Sequence, residues 1–224
     1  MHVAKTKKLN IFLKKLWTLF IAKSGLFFFQ NLCRGEFVNE ERIKQYINDG
    51  FLLVSNHVSY LDWILLWSYF YHRHHIKISF IGKESLFSHP LWSPLMDYAG
   101  VIKVSNEGDR FLDINSYKKL KESRYIGIFP EGTRNNNNQH LMEAKSGVIK
   151  LAIKLKLPII PVGLVNFNDV WPRDRRFPRI AKCSIVFGEE FKLQKSVNDN
   201  NDIIHETRLL MKSIGKLCNL EYPY

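Results

Sequence analysis

The sequence predicts an α/β fold: a single domain with a central mixed sheet flanked by helices, preceded by an N-terminal amphipathic segment. Three observations carry this. Apolar runs of strand length recur along the chain: FLLV (Phe51 to Val54), ISFIG (Ile78 to Gly82), VIKV (Val101 to Val104), YIGIF (Tyr125 to Phe129), IIPVGLV (Ile159 to Val165) and CSIVFG (Cys183 to Gly188). Stretches of helical character lie between several of them, as in sheets whose faces are covered by helices. The 224 residues, 46% hydrophobic, suit one core.

The N-terminal stretch Leu9 to Phe29 is apolar but carries Lys14, Lys15 and Lys23. A spanning helix needs about 20 mostly apolar residues, and no small-residue cleavage site follows. On a helical wheel Asn10, Lys14, Lys15 and Thr18 share one face. Leu13, Leu16, Phe20 and Phe27 lie near the other, with Trp17 at the margin. This predicts a helix lying in a membrane interface; the alternative is a helix packed on the domain's own core. Ser24-Gly25 is its expected end, and LFFF the start of a second helix. Residues 1–34 are read as membrane-associating helices and 35–224 as the functional domain.

FLLV leads directly into NHVSYLDW, Asn56 to Trp63. His57 and Asp62 are five positions apart, a spacing that puts them on one face of neither a helix nor a strand. Contact between them requires a bend. Ser59 can cap a helix with Asp62 three residues later, so His57 is expected in a strand-to-helix loop and Asp62 in the first turn. A carboxylate-held histidine is an arrangement for a general base. A turn histidine and a helix-start aspartate without contact fit the segment equally well. The cluster HRHH, His72 to His75, reads as a solvated helix end rather than a metal site.

YIGIFPEGTR places a turn after a buried strand. Pro130 stops the ladder, Gly132 permits close backbone approach, and Arg134 offers a planar fork suited to phosphate. MEAKSGVIKLAIKLK follows with Val148, Leu151, Ala152 and Leu155 on one helical stripe. Asn135 to Asn138 and NDNND (Asn198 to Asp202) read as polar loops.

The formal net charge is +12, from 33 Lys and Arg against 21 Asp and Glu. This favours anionic partners. Basic residues are scattered, and no helix-turn-helix, zinc or RNA-binding motif is present, which argues against nucleic acid. Three separated cysteines, Cys33, Cys183 and Cys218, indicate a reducing compartment without a disulfide framework. No G-x-S-x-G elbow is present.

Over roughly residues 35 to 195, the chain resembles the glycerolipid acyltransferase family of the lysophosphatidic-acid type. Four blocks carry the resemblance: Asn56, His57 and Asp62; Lys83, Glu84, Pro94 and Gly100 within GKESLFSHPLWSPLMDYAGVIKV; Phe129 to Arg134; and LPIIPVGL. The resemblance implies acyl transfer from acyl-CoA or an acyl-carrier protein to a lysophospholipid hydroxyl at a membrane surface, without metal or cofactor. It implies His57 as base, Asp62 as its orienting carboxylate, and Glu131, Gly132, Thr133 and Arg134 around the acceptor phosphate, with Lys83 nearby. Family members close the second block with an arginine soon after G-x-I. Here VIKVSN has Ser105 and Asn106 instead, and Lys103 or Arg110 is left to supply the charge. The expected location is the cytoplasmic face of a bacterial inner membrane; the Lys/Asn/Ile-rich composition agrees with a bacterial source. The competing readings are an acyltransferase for another lysolipid, a hydrolase using the same pair on water, and a non-catalytic basic binding protein.

Overall fold

A computed structural model of the chain describes residues 16–17, 19–84, 87, 93–104, 114–194, 197 and 199–224. Helix α1 (19–27) runs into a π-helical turn (Phe28–Leu32) and then strand β1 (Glu36–Val38). There follow α2 (Glu41–Lys44), β2 (Phe51–Ser55), α3 (Asp62–His74), β3 (Ser79–Lys83), α4 (Ser93–Ala99), β4 (Ile102–Val104), α5 (Ile114–Glu122) and β5 (Tyr125–Ile128). The chain ends with α6 (Gly147–Leu155), β6 (Ile159–Val165), α7 (Phe167–Val170), β7 (Ser184–Phe187) and α8 (Asn200–Cys218).

The seven strands form one sheet in the order β1-β7-β6-β2-β5-β3-β4. β6, β2, β5, β3 and β4 run parallel, while β7 is antiparallel to β6 and carries β1 parallel to itself. The sheet is therefore mixed, with helices on both faces. All five β2 residues are buried, as a strand covered on two sides requires. Phe51 and Leu53 join a core with Leu65, Leu66 and Phe70 of α3. Leu52 and Val54 join the opposite core with Val148 and Leu151 of α6 and Leu210 and Ile214 of α8. Gly127 in β5 leaves room for a ring: a Cβ there would lie 2.4 Å from Phe80.

The parallel strands finish at one edge, with Val54 beside Ile128, Ser55 beside Val162, and Lys83 beside Val104. Loops after these C-terminal ends collect ligands in such sheets, and both sequence motifs leave from this edge.

Two expectations are corrected. The N-terminal helix does not stop at Ser24-Gly25; it continues to residue 27. Gly25 faces α3, where an added Cβ would make ordinary contacts at 3.5 Å with Leu65 and 3.8 Å with Ile64, and the helix passes through it. NDNND is not all loop. Asp199 caps α8 by accepting the Asp202 N–H at 2.9 Å, and Asn200 to Asp202 form its first turn. Asn135 does lie in a loop but is buried. HRHH closes α3, with His75 left-handed at φ 57°, and burial lowers the pKa values of His72 and His74.

The N-terminal segment packs partly inward. Ala22, Phe29 and Cys33 enter the α3-side core, while Leu16, Trp17, Phe20, Phe27 and Leu32 are exposed. Lys14, Lys15 and Thr18 lie outside the described residues. Among the described residues no helix is long and apolar enough to cross a membrane.

Candidate active site

The bend that the His57–Asp62 spacing demands is built from the end of β2. Asn56 is fully buried and pins the chain to β6: its amide donates to Leu164 O at 3.1 Å and its oxygen accepts Leu164 N–H at 2.8 Å. The chain then turns through Val58 and Ser59 into α3. Asp62 Oδ2 accepts three donors there: His57 Nδ1 at 2.7 Å, Val58 N–H at 2.7 Å and Ser59 N–H at 2.8 Å. The Ser59 bond is the return half of a capping box. The forward half is replaced: Ser59 Oγ accepts Leu61 N–H at 3.2 Å and donates to Trp171 O at 2.8 Å. Position in the first turn of α3 favours a carboxylate. Asp62 Oδ1 is buried without a hydrogen-bond partner among the described residues.

The contact left open by the sequence is thus present, and it fixes the imidazole. With Nδ1 on Asp62, Nε2 is the ring nitrogen left for a reacting group, and the side chain is partly exposed. Phe129 stacks on the ring at 4.3 Å and 17°, and Phe80 stacks on Phe129 at 5.5 Å. The His57 backbone is held from both sides. Its N–H donates to Glu131 Oε1 at 2.9 Å, and its carbonyl accepts Asn135 N–H at 2.7 Å.

Glu131 follows from the turn that FPEG makes. Gly132 N–H donates to Phe129 O at 3.0 Å, with Pro130 at the position where its fixed φ suits the turn. Gly132 itself has φ +67°. Glu131 is buried, and its second oxygen accepts Met142 N–H at 3.0 Å. Burial pushes its carboxyl up to about 7; the two N–H donors oppose this and the Asp62 charge adds to it. Each oxygen accepts an N–H, which favours the carboxylate, but burial outweighs both bonds and the fold holds the proton more tightly than water does.

This has a stability consequence with a defined sign. The folded-state value lies above the ordinary carboxyl value of 4.5, so the contribution of Glu131 is fully present below pH 4.5 and is lost as pH rises through about 7. Urea unfolding of the wild type and Glu131→Gln across this range should show the wild type losing on the order of 3 kcal/mol relative to the variant. Parallel pH curves would contradict the raised value.

Arg134 sits beside this frame. Its guanidinium lies 3.4 Å from the centroid of the Tyr60 ring, and Tyr60 packs on Trp171 at 5.3 Å. Arg134 Nη1 is buried with no hydrogen-bond partner among the described residues. Lys145 is a second cation at the turn: a Cβ on Gly132 would come within 3.5 Å of its Nζ. Thr133 is half-buried on the same turn. Lys83 ends β3 on the site edge. Lys103 is exposed on β4 with Nζ 4.5 Å from the Phe87 ring, and no hydrogen bond or ion pair among the described residues ties it to the His57 loop. Arg110, Ser105 and Asn106 lie outside the described residues. Sequence reasoning gives no site role to Tyr60, Trp171 or Lys145, places Phe129 only at the head of the third block, and reads Asn135 only as polar loop. Tyr60 and Phe129 lie inside the quoted motifs, so proximity to His57 and Arg134 was their only signal.

All three cysteines are buried. Burial pushes the Cys183 and Cys218 thiols up to about 12, which keeps both protonated and poor as nucleophiles.

The family model described as Acyltransferase matches residues 34–165, which include both motifs. The chain belongs to the acyltransferase family. Within that family it is 32% identical over 133 residues to a 1-acyl-sn-glycerol-3-phosphate acyltransferase of Helicobacter pylori, covering 58% of this chain and 54% of that protein. It is 31% identical over 121 residues to a Borreliella burgdorferi protein of the same name, covering 53% and 46%. The chain spans about half the length of these acyltransferase relatives. The fold resembles the crystal structure of the LPA acyltransferase of Thermotoga maritima, with TM-score 0.66, 23% identity, and coverage of 91% of this chain and 80% of that one. At that identity the likeness shows the fold.

Proposed function

We propose that this acyltransferase-family chain moves a fatty acyl group from an acyl thioester to the free hydroxyl of 1-acyl-glycerol-3-phosphate, giving phosphatidic acid. The observation that carries this is the His57–Asp62 pair at 2.7 Å on the same strand edge as Arg134, whose Nη1 is buried without a partner among the described residues. The names of the relatives point the same way.

The chemistry follows from the geometry. His57 Nε2 takes the proton of the acceptor hydroxyl as its oxygen attacks the thioester carbonyl. Asp62 holds the Nδ1–H tautomer and stabilises the imidazolium. The carbon–sulfur bond then breaks, and the thiolate leaves or recovers the proton from His57. A covalent acyl-enzyme is unnecessary, in keeping with the buried, protonated Cys183 and Cys218 thiols. Glu131 keeps the His57 backbone in place, Gly132 and Thr133 shape the acceptor pocket, and Arg134 binds the acceptor phosphate. Lys83, Lys103 and Arg110 are the remaining cations available for that role. The donor is acyl-CoA or acyl-carrier protein. Residues 1–34 act as the membrane-associating segment, with Trp17 and Phe20 among its exposed apolar groups, and 35–224 as the catalytic unit at the cytoplasmic face of a bacterial inner membrane. The departure at Ser105 and Asn106 favours a second reading, in which the acceptor is another lysolipid with a larger headgroup.

Arg134 tests where the acceptor phosphate is held. Arg134→Lys retains charge but loses the planar fork, and a charge-assisted hydrogen bond is worth about 1.5–3 kcal/mol. The expected result is a roughly tenfold or greater rise in KM for lysophosphatidic acid with little change in kcat. An unchanged KM would place the phosphate elsewhere.

A further inference from the structure

The segment Trp171 to Lys182, WPRDRRFPRIAK, joins α7 to β7 and carries a surface that the proposed chemistry does not use. Phe177 at 70% and Ile180 at 66% are the two most exposed large apolar side chains among the described residues. Around them stand Arg173, Arg175, Arg176, Arg179 and Lys182 against a single acid, Asp174. Arg179 is paired with Asp169 at 3.2 Å and Lys182 with Glu36 at 3.5 Å. Arg173, Arg175 and Arg176 form no ion pair among the described residues, and the Arg176 guanidinium lies 5.5 Å from the Phe177 ring centroid.

The segment has internal ties. Trp171 Nε1 donates to Arg175 O at 3.1 Å, Arg175 N–H to Pro172 O at 3.3 Å, and Arg179 N–H to Val170 O at 2.8 Å. Its base is part of the site wall: Tyr60 N–H donates to Trp171 O at 3.4 Å, and the Tyr60 ring packs between Trp171 and Arg134.

We infer that this loop is a second membrane contact, selective for anionic lipid, which seats the mouth beside Arg134 against the bilayer. An apolar tip ringed by uncompensated guanidinium groups matches a lipid interface: Phe177 and Ile180 enter the acyl boundary while Arg173, Arg175 and Arg176 meet lipid phosphates. An acidic carrier protein would engage the arginines too; the two exposed apolar side chains beside them favour a lipid interface. The inference rests on the proposed lysolipid reading for its purpose, but vesicle binding tests it without turnover.

The experiment is co-sedimentation of the full chain with phosphatidylcholine vesicles, with and without phosphatidylglycerol. It uses the wild type and two double variants, Phe177→Ser/Ile180→Ser and Arg175→Gln/Arg176→Gln. The wild type should prefer the anionic vesicles, and salt should weaken that preference. Each double variant should bind them roughly tenfold more weakly. Turnover of a short-chain lysolipid dissolved as monomer should not change. Unchanged vesicle binding by both variants would overturn the inference. So would an equal loss of monomer turnover, which would make the loop part of the chemical site. A raised KM for acyl-carrier protein with unaltered vesicle binding would assign the loop to the donor instead. If the wild type turns over no lysolipid, the functional reading fails while the vesicle result still decides the loop's role.

Discussion

His57→Ala is expected to lower acyl transfer by about 10²- to 10⁴-fold, the usual range for removing a positioned general base, while the protein remains folded. The fold should tolerate the change because His57 is held mainly through its backbone: Glu131 accepts its N–H and Asn135 donates to its carbonyl. The side chain contributes the stack on Phe129 and the bond to Asp62. Loss of that bond leaves Asp62 Oδ2 with two backbone donors. Circular dichroism and the urea midpoint check the fold; thiol release from the acyl donor checks the rate. Substantial turnover by a folded His57→Ala protein would remove His57 from the chemistry.

Substitutions at Asp62 divide its two tasks. In Asp62→Asn, an amide oxygen at the Oδ2 position still accepts the His57, Val58 and Ser59 donors, and the NH2 occupies the place of the unpartnered Oδ1. Geometry is kept and charge is lost. An opposite charge this close is worth about 1–4 kcal/mol to a cation formed beside it. Transfer should therefore fall by about 10²-fold, in kcat rather than KM, with little change in stability. Asp62→Ala removes the acceptor as well. Two buried N–H groups then lose their partner at about 1–3 kcal/mol each, so both rate and stability should drop. Equal rates for Asp62→Asn and the wild type would make the aspartate a loop brace only.

The extent to which this arrangement is legible in the sequence differs by element, for physical reasons. Strands buried on both faces, such as FLLV and IIPVGLV, announce themselves as unbroken apolar runs. β1 does not: EFV is three residues at a sheet edge, too short and too polar to stand out. α8 begins among Asn and Asp residues because its cap is an aspartate, and those residue types serve loops and helix starts alike. Ser24-Gly25 has the composition of a helix end, yet the helix runs through it to residue 27, because a single glycine weakens a helix without stopping it. The FPEGTR turn was legible because Pro and Gly carry local backbone meaning. The aromatic seat of Arg134 was not, since Tyr60 and Trp171 meet it only in three dimensions. The His57–Asp62 contact lay between these cases: the residues were visible, but the bend uniting them depends on Asn56 gripping Leu164 across the sheet.

The measurement that bears most directly on the central claim is acyl transfer by the purified protein in liposomes. Lysophosphatidic acid would be offered beside lysophosphatidylcholine and a lyso-aminolipid, with acyl-CoA and acyl-carrier protein as donors and His57→Ala as control. The expected result is phosphatidic acid formed in step with thiol release, from lysophosphatidic acid and not from the other acceptors, and absent in the variant. Thiol release accompanied by free fatty acid without an acylated lipid, or transfer that survives in His57→Ala, would contradict it.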